Sequence, residues 1–342
     1  MTSKKRNKSQ EWLIGLDLGG TKLAWTLIST QGREKFFKSI ALEISEIDDP
    51  KSSQQKVIAI MCAAIVETVN FIRKEKLGRI VGIGLASAGP MNVESGELIE
   101  PSNFKGWKIF PIIKLLKKEL LKNKIRHSIA FQNDAMAASL GEGWLGGAKG
   151  LENFAVVTVG TGIGTGVIFK GKPLQYRGMG GEWGRQIVDI SNIKDNTDQY
   201  FQCFEGLASG TALVKLAREM GFQGKSAVDL VHEIKNGQNQ YQKLFTGAAR
   251  ALAVLCFNLS LGFNLEKILF SGGMIQIKDL FWNVLLLEYE RLISIRHSAF
   301  RAKIEIAELD VKAGAVGAAR LGYLLGPRLK RRPRELGRLR NF

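Results

Sequence analysis

Cysteine and histidine are both scarce, three of each in 342 residues. Cys62, Cys203 and Cys256 lie far apart and are odd in number, which argues against a disulfide framework and for a reducing compartment. His127, His232 and His297 are equally scattered and leave little material for a metal cage. Long apolar runs are also missing. The most apolar stretch, Leu252 to Leu265, is broken by Asn258 and falls short of the ~18 uninterrupted apolar residues of a membrane span. Near the N-terminus the apolar run is only Trp12 to Leu16 before Asp17 interrupts it, too short for a signal peptide core. The cytoplasm is therefore the expected compartment, and no membrane partner is expected. An apolar fraction of 45 % and a charged fraction of 24 % exclude a disordered tail protein, a collagen and a disulfide-stapled miniprotein.

The net charge of +17 is unevenly placed. Lys4, Lys5, Arg6 and Lys8 lie in residues 1–10, and seven basic residues against Glu335 lie in residues 327–342. Ten of the seventeen charges thus belong to two basic tails, of which residues 1–10 read as disordered. The body keeps an ordinary surplus for a protein handling anionic substrates. Specific nucleic-acid binding is not expected.

The length suits about two domains at roughly 150 residues each. Residues 12–17 read as a buried strand ending at a Gly-Gly turn, with strands at 22–29 and near 34–40 after it. Residues 56–74 have helical spacing, 79–85 form a buried strand, and 86–107 read as a long irregular stretch of the kind that is often functional. A helix near 110–122, a strand near 128–131 and a helix at 134–141 follow. Strands at 153–159 and 165–169 flank a second glycine turn, and helices are expected at 206–219, 240–262, 278–295 and 314–325, with strands at 268–270 and 303–307. The β–glycine turn–β opening recurs in each half, which suggests two similar α/β halves facing a cleft.

Three glycine turns follow strands: Asp17-Leu18-Gly19-Gly20-Thr21-Lys22, Gly160-Thr161-Gly162-Ile163-Gly164, and Ser271-Gly272-Gly273. Successive N–H groups in such turns form anion nests, and a phosphate chain is their common ligand. None has the P-loop pattern, and the loop at 160–166 enters a strand rather than a helix, which disfavours the dinucleotide fold. Asp17 reads two ways, as a turn cap or as a carboxylate holding Mg²⁺ beside phosphate, directly or through water. Lys22 reads as a phosphate neighbour or as a solvent-facing strand residue. Asn133 is a fair helix N-cap with Asp134 in the first turn, which is either a structural cap or a placed carboxylate.

These motifs, taken with Ala88-Gly-Pro90, Asn103-Phe-Lys-Gly-Trp107, Asn133-Asp-Ala135, Gly181-Glu-Trp-Gly184 and Gly314-Ala-Val-Gly-Ala318, occur in an order that resembles the ROK family of sugar kinases, repressors and open reading frames, within the actin/hexokinase/Hsp70 superfamily. The resemblance spans about residues 12 to 325. It implies a two-lobed actin-like ATPase (ribonuclease H-like) α/β fold, each lobe a mixed sheet with flanking helices around a cleft. The lobes are expected at 11–132 plus the helix 312–325, and at 133–311. It implies ATP-dependent phosphorylation of a hexose or amino sugar, usually at the 6-hydroxyl, with Asp134 as general base. Asn103, Asn133, Glu182 and Glu205 match sugar ligands. Gly19, Gly20, Thr21, Lys22, Gly160, Thr161, Gly162, Gly164, Gly272 and Gly273 match nucleotide-binding positions, and Mg²⁺ is expected near Asp17. ROK members are commonly dimers, so a homodimer is expected.

The chain departs from the family at one loop. The typical Gly-Glu-x-Gly-His reads Gly181-Glu182-Trp183-Gly184-Arg185 here, and of the Cys-x-Cys-Gly-x-x-Gly-Cys-x-Glu zinc segment only Cys203 and Glu205 remain. One cysteine cannot build a four-ligand site, so no structural zinc is expected and packing must hold 186–202. Arg185 donates only and carries fixed charge. It is read as a partner that orients Glu182 or Glu205 for a neutral hexose, or else as a ligand for an anionic sugar substituent. A sugar-responsive repressor is disfavoured, because only about 11 residues precede the first strand, too few for a helix-turn-helix module. A catalytically weak or inactive sugar-binding or regulatory ROK protein is the alternative to the kinase.

Overall fold

The computed structural model describes residues 10–43, 49–101, 103–104, 106–175, 177–189, 202–295 and 297–326. The tails expected at 1–10 and 327–342 lie, but for Gln10, outside the described residues. The chain divides into two compact units. One comprises the chain through Leu145, Gln175–Met179 and everything from Lys312 onward; the other comprises Gly146–Leu174 and Gly180–Val311.

In the first unit β1 (Glu11–Leu18) turns through Gly19 and Gly20 into β2 (Lys22–Ser29), and β3 (Glu34–Ala41) adds a third antiparallel strand. Helix α1 (Pro50–Lys74) starts from Asp49, whose carboxylate accepts the Ser52 N–H, and leads to β4 (Arg79–Ser87), parallel to β1. The stretch expected to be irregular holds a small sheet of short strands, β5 (Met91–Asn92), β6 (Glu97–Ile99) and β7 (Ile109–Phe110). Helix α2 (Ile112–Lys122), β8 (Ile129–Asn133) and α3 (Asp134–Leu145) follow, and the main sheet has the order β3-β2-β1-β4-β8.

Alternation along β1 sends successive side chains to opposite faces. Trp12, Ile14, Leu16 and Leu18 join a core with Val57, Met61 and Ile65 of α1. Gly15 faces the other way, onto the closing helix Ala313–Leu324. That helix lies almost on the sheet backbone: a Cβ at Gly84 would land on the carbonyl oxygen of Ala318, and one at Gly317 on that of Ala137 in α3. Gly84→Ala is therefore expected to destabilise by roughly 3 kcal/mol, because a helix carbonyl cannot swing aside. The shift of the urea midpoint measures it. Packing of α3 on the closing helix also explains why the first unit extends to Leu145 rather than stopping at the expected residue 132.

In the second unit β9 (Phe154–Val159) and β10 (Ile163–Phe169) form a hairpin around the second glycine turn, and β11 (Lys172–Pro173) extends it. Helices α4 (Phe204–Ala208), α5 (Gly210–Glu219), α6 (Ala227–Lys235) and α7 (Gln242–Phe263) precede β12 (Lys267–Ser271), which is parallel to β9. Helix α8 (Trp282–Ser294) and β13 (Lys303–Ile306) complete a sheet of order β11-β10-β9-β12-β13. The expected helix 206–219 is broken at Ser209, which takes an extended conformation and caps α5 through its hydroxyl. Helix α6 was not expected, and a 3₁₀ run, Gly273–Leu280, precedes α8.

Among the described residues, two helices reach membrane-spanning length and hydropathy, Pro50–Lys74 and the run Asn239–Phe263, each with a mean hydropathy of 1.6 over its most apolar stretch. Their apolar residues lie in the cores: Val57, Met61 and Ile65 in one, Phe245, Leu252 and Leu259 in the other. That is the placement of core helices. The three cysteines are buried, and none is in a disulfide.

Candidate active site

The first unit gathers two carboxylates. Asp17 ends β1 beside the first glycine turn, opposite Ala24 of β2 and Ala86 of β4. Its carboxylate presses on the start of the closing helix, where a Cβ at Gly314 would overlap it. The Asp17 pKa is raised from 3.8 to about 7, by burial first and then by the negative charge of Asp134, with Lys22 opposing. Asp134 opens α3, half-buried, and its Oδ1 accepts the Ala135 N–H at 2.8 Å. Burial pushes its pKa up against that hydrogen bond. The expected cap is present: Asn133 Oδ1 accepts the N–H groups of Ala135 at 3.0 Å and Met136 at 3.2 Å. The cap commits the amide oxygen and leaves the Nδ2 donors of Asn133 as the part suited to another acceptor.

Asn103 lies against the same turn, since a Cβ at Gly20 would stand 2.9 Å from the Asn103 Cβ. Its loop is pinned from below. Phe104 stacks on Trp107 with ring centroids 4.2 Å apart, Trp107 meets Phe110 edge-on, and the Trp107 indole donates to Ser53 Oγ at 2.8 Å. Of the candidate first-turn donors, Gly19 N–H is already bonded to Lys22 O at 3.0 Å, while Thr21 and Lys22 are exposed.

The second unit gathers the remaining candidates. Gly160 N–H donates within its own turn, to Gly162 O at 2.9 Å, and Gly164 sits in the ladder opposite Thr158. Thr161 is exposed at the tip. The Gly272-Gly273 turn ends the neighbouring parallel strand, so that a Cβ at Gly160 would lie 3.9 Å from the Gly273 nitrogen. Arg185 stands within ion-pair range of both carboxylates, its Nε 3.9 Å from Glu182 and its Nη2 3.8 Å from Glu205. Both distances are too long for hydrogen bonds. Two contacts escaped the sequence: the press of Asp17 on Gly314, and a hydrogen bond from Ile163 N–H to Glu205 at 2.8 Å. Their partners are far apart in the chain, and only the glycines at 314 and 162 hint at them.

A family model described as the ROK family matches residues 13–323. The chain belongs to the ROK family. A glucokinase of Halalkalibacterium halodurans is 27% identical over 325 residues, covering 90% of this chain and 94% of the relative. A ROK family glucokinase of Streptomyces griseus, solved in complex with glucose and AMPPNP, superimposes with a TM-score of 0.71 at 23% identity, covering 91% of this chain and 99% of that one. A protein named as a xylose repressor of Caldicellulosiruptor bescii is 24% identical over 330 residues, 91% of this chain and 78% of the relative. The family therefore spans sugar kinases and regulators, and the architecture is the actin-like ATPase fold with a mixed, helix-flanked sheet in each unit.

The residues of this ROK chain do not fit the zinc that the family resemblance carries. Cys203 sulfur accepts the Gly206 N–H at 3.4 Å and caps α4, and Arg185 occupies the histidine position. Among the described residues no three His, Cys, Asp or Glu side chains cluster as a metal site. Backbone pairing fastens the described ends of the segment instead, through the Ile187–Cys203 bridge and Val188 N–H to Gln202 O at 2.7 Å. Dialysis against a strong zinc chelator is expected to leave the melting temperature unchanged within about one degree, a far smaller change than the loss of a structural zinc would produce.

Proposed function

We propose that this chain is a sugar kinase that moves the γ-phosphoryl of ATP to a hydroxyl, usually the 6-hydroxyl, of a hexose or amino sugar. The observation that carries the reading is the Asp17–Asp134 pair, two half-buried carboxylates at mutual electrostatic range beside a glycine turn and Asn103. Asp134 is the general base. Its proton affinity is raised by burial, which suits a group that must take a hydroxyl proton. The sugar oxygen attacks the γ-phosphorus, the bond to the bridging oxygen breaks, ADP leaves and the hydroxyl proton passes to Asp134. Phosphoryl transfer of this kind is governed by positioning and charge neutralisation.

Asn103, the Nδ2 of Asn133, Glu182 and Glu205 supply donors and acceptors for sugar hydroxyls. The phosphates meet the N–H groups of Gly20, Thr21, Thr161 and Gly162, because Gly19 and Gly160 donate within their own turns. Gly272 and Gly273 lie by the adenosine, and Lys22 adds positive charge. The hard oxygen donors of Asp17, beside a second carboxylate, fit Mg²⁺, which when bound would neutralise phosphate charge there. Arg185 within reach of both Glu182 and Glu205 supports a neutral hexose, since the guanidinium balances carboxylates the chain already has. The complex of the Streptomyces relative with glucose and AMPPNP supports the same ligand pair.

An ADP-release assay across glucose, mannose, fructose and N-acetylmannosamine tests this. Turnover with at least one is expected. Sugar binding without ADP release would assign the chain to the regulatory side of the family, and turnover confined to acidic sugars would turn Arg185 into a substrate ligand.

A further inference from the structure

The second glycine turn is held from behind by two bonds. Gly210, the first residue of α5, donates to Gly160 O at 2.8 Å, and Ile163 N–H donates to Glu205 Oε2 at 2.8 Å. Glu205 sits in the first turn of α4, with its side chain only 15% exposed. Its carboxylate lies so close to the turn that a Cβ on Gly162 would overlap Oε2. The other oxygen, Oε1, faces the Arg185 guanidinium at 3.8 Å, beyond hydrogen-bond length. One rigid carboxylate thus has one oxygen fixed on the turn and the other directed toward the Glu182–Arg185 loop.

A tie that only stabilised the turn would not need a second oxygen aimed at the Glu182–Arg185 loop. A carboxylate has no internal freedom once one oxygen is fixed. A hydroxyl bonded to Oε1 therefore restrains Oε2, the Ile163 N–H and the Gly162 peptide together. The N–H groups of Thr161 and Gly162 then hold their phosphate-binding directions before nucleotide arrives, and less conformational entropy is lost on its binding.

We propose that Glu205 is a positioning residue that links sugar occupancy to the grip of the Gly160–Gly164 turn on nucleoside triphosphate. The inference rests on the kinase reading, in which Glu205 meets a sugar hydroxyl. Sugar raises nucleotide affinity through this carboxylate, and by linkage nucleotide raises sugar affinity by the same factor.

The test is calorimetric titration of AMPPNP with Mg²⁺, with and without saturating sugar, the sugar being whichever of glucose, mannose, fructose and N-acetylmannosamine turns over fastest. For the unmodified chain, sugar is expected to lower the nucleotide Kd about tenfold, within the usual range of coupling between two sites. Glu205→Gln keeps an oxygen that can accept from Ile163 N–H and is expected to keep most of that ratio. Glu205→Ala, assayed at its own saturating sugar concentration, is expected to bring the ratio to about one. Gly162→Ala, which displaces the carboxylate while keeping its charge, gives the same readout should Glu205→Ala fail to fold. A merely structural role would change the melting temperature and the sugar-free Kd but not the ratio. An unchanged ratio in Glu205→Ala, or no sugar effect in an unmodified chain that does release ADP, overturns the coupling and leaves the kinase reading standing. An unmodified chain that binds no nucleotide overturns both.

Discussion

Asp134→Asn is expected to lower kcat by about a thousandfold and to change sugar affinity by less than about threefold. The size is that of removing a placed general base. The substitution is structurally quiet. An asparagine oxygen can still accept the Ala135 N–H that Asp134 Oδ1 holds at 2.8 Å, and Asn133 keeps the cap of α3 through Ala135 and Met136. What disappears is a group able to take a proton. Initial-rate kinetics with the best sugar of the panel, set beside calorimetric sugar binding, separate the two effects. Lost sugar binding with turnover retained would remove Asp134 from the role of base.

Asp17→Asn is expected to stabilise the fold while lowering turnover. The carboxyl has a pKa of about 7 in the folded chain against 3.8 when unperturbed. Between those values the folded chain holds a proton that the unfolded chain has released, so stability falls as pH rises through this window and reaches its lower level above about pH 7. At 1.36 kcal/mol per pKa unit the penalty is at most roughly 4 kcal/mol. Asparagine carries no such penalty. The variant is expected to melt several degrees above the unmodified chain at pH 8, with the gain shrinking toward zero near pH 4, in magnesium-free buffer. Turnover is expected to fall at least a hundredfold, because the oxygen suited to Mg²⁺ loses its charge. Differential scanning calorimetry across pH checks the first expectation and kinetics the second. A variant no more stable at pH 8 than at pH 4, relative to the unmodified chain, would show that Asp17 is not buried as a strained charge.

The two β–turn–β openings were legible because apolar strands and paired glycines are local signals. The capping role of Asn133 was legible for the same reason, as a polar residue between a strand and an apolar helix. Helix α6 was missed although Ser226 and Asp229 form a complete capping box, since its nine residues carry too little period to stand out. Strands β5 to β7 have only two or three residues, too few to show alternation. The division after Leu145 was hidden for another reason. It depends on α3 packing against a helix almost at the other end of the chain, and no window of sequence contains both partners. The tie from Ile163 to Glu205 spans 42 residues and was likewise out of view. Residue types near the site were readable; which of their atoms are already occupied was not.

The closing helix has a consequence for how the molecule is made. Its glycine and alanine face covers β1 and β4, yet it leaves the ribosome well over two hundred residues after those strands. During translation the first sheet must wait with one side bare while the second unit emerges and folds. Asp17 is enclosed only when Gly314 arrives. The burial that raises the proton affinity of Asp17 is therefore completed only when the closing helix docks on the sheet.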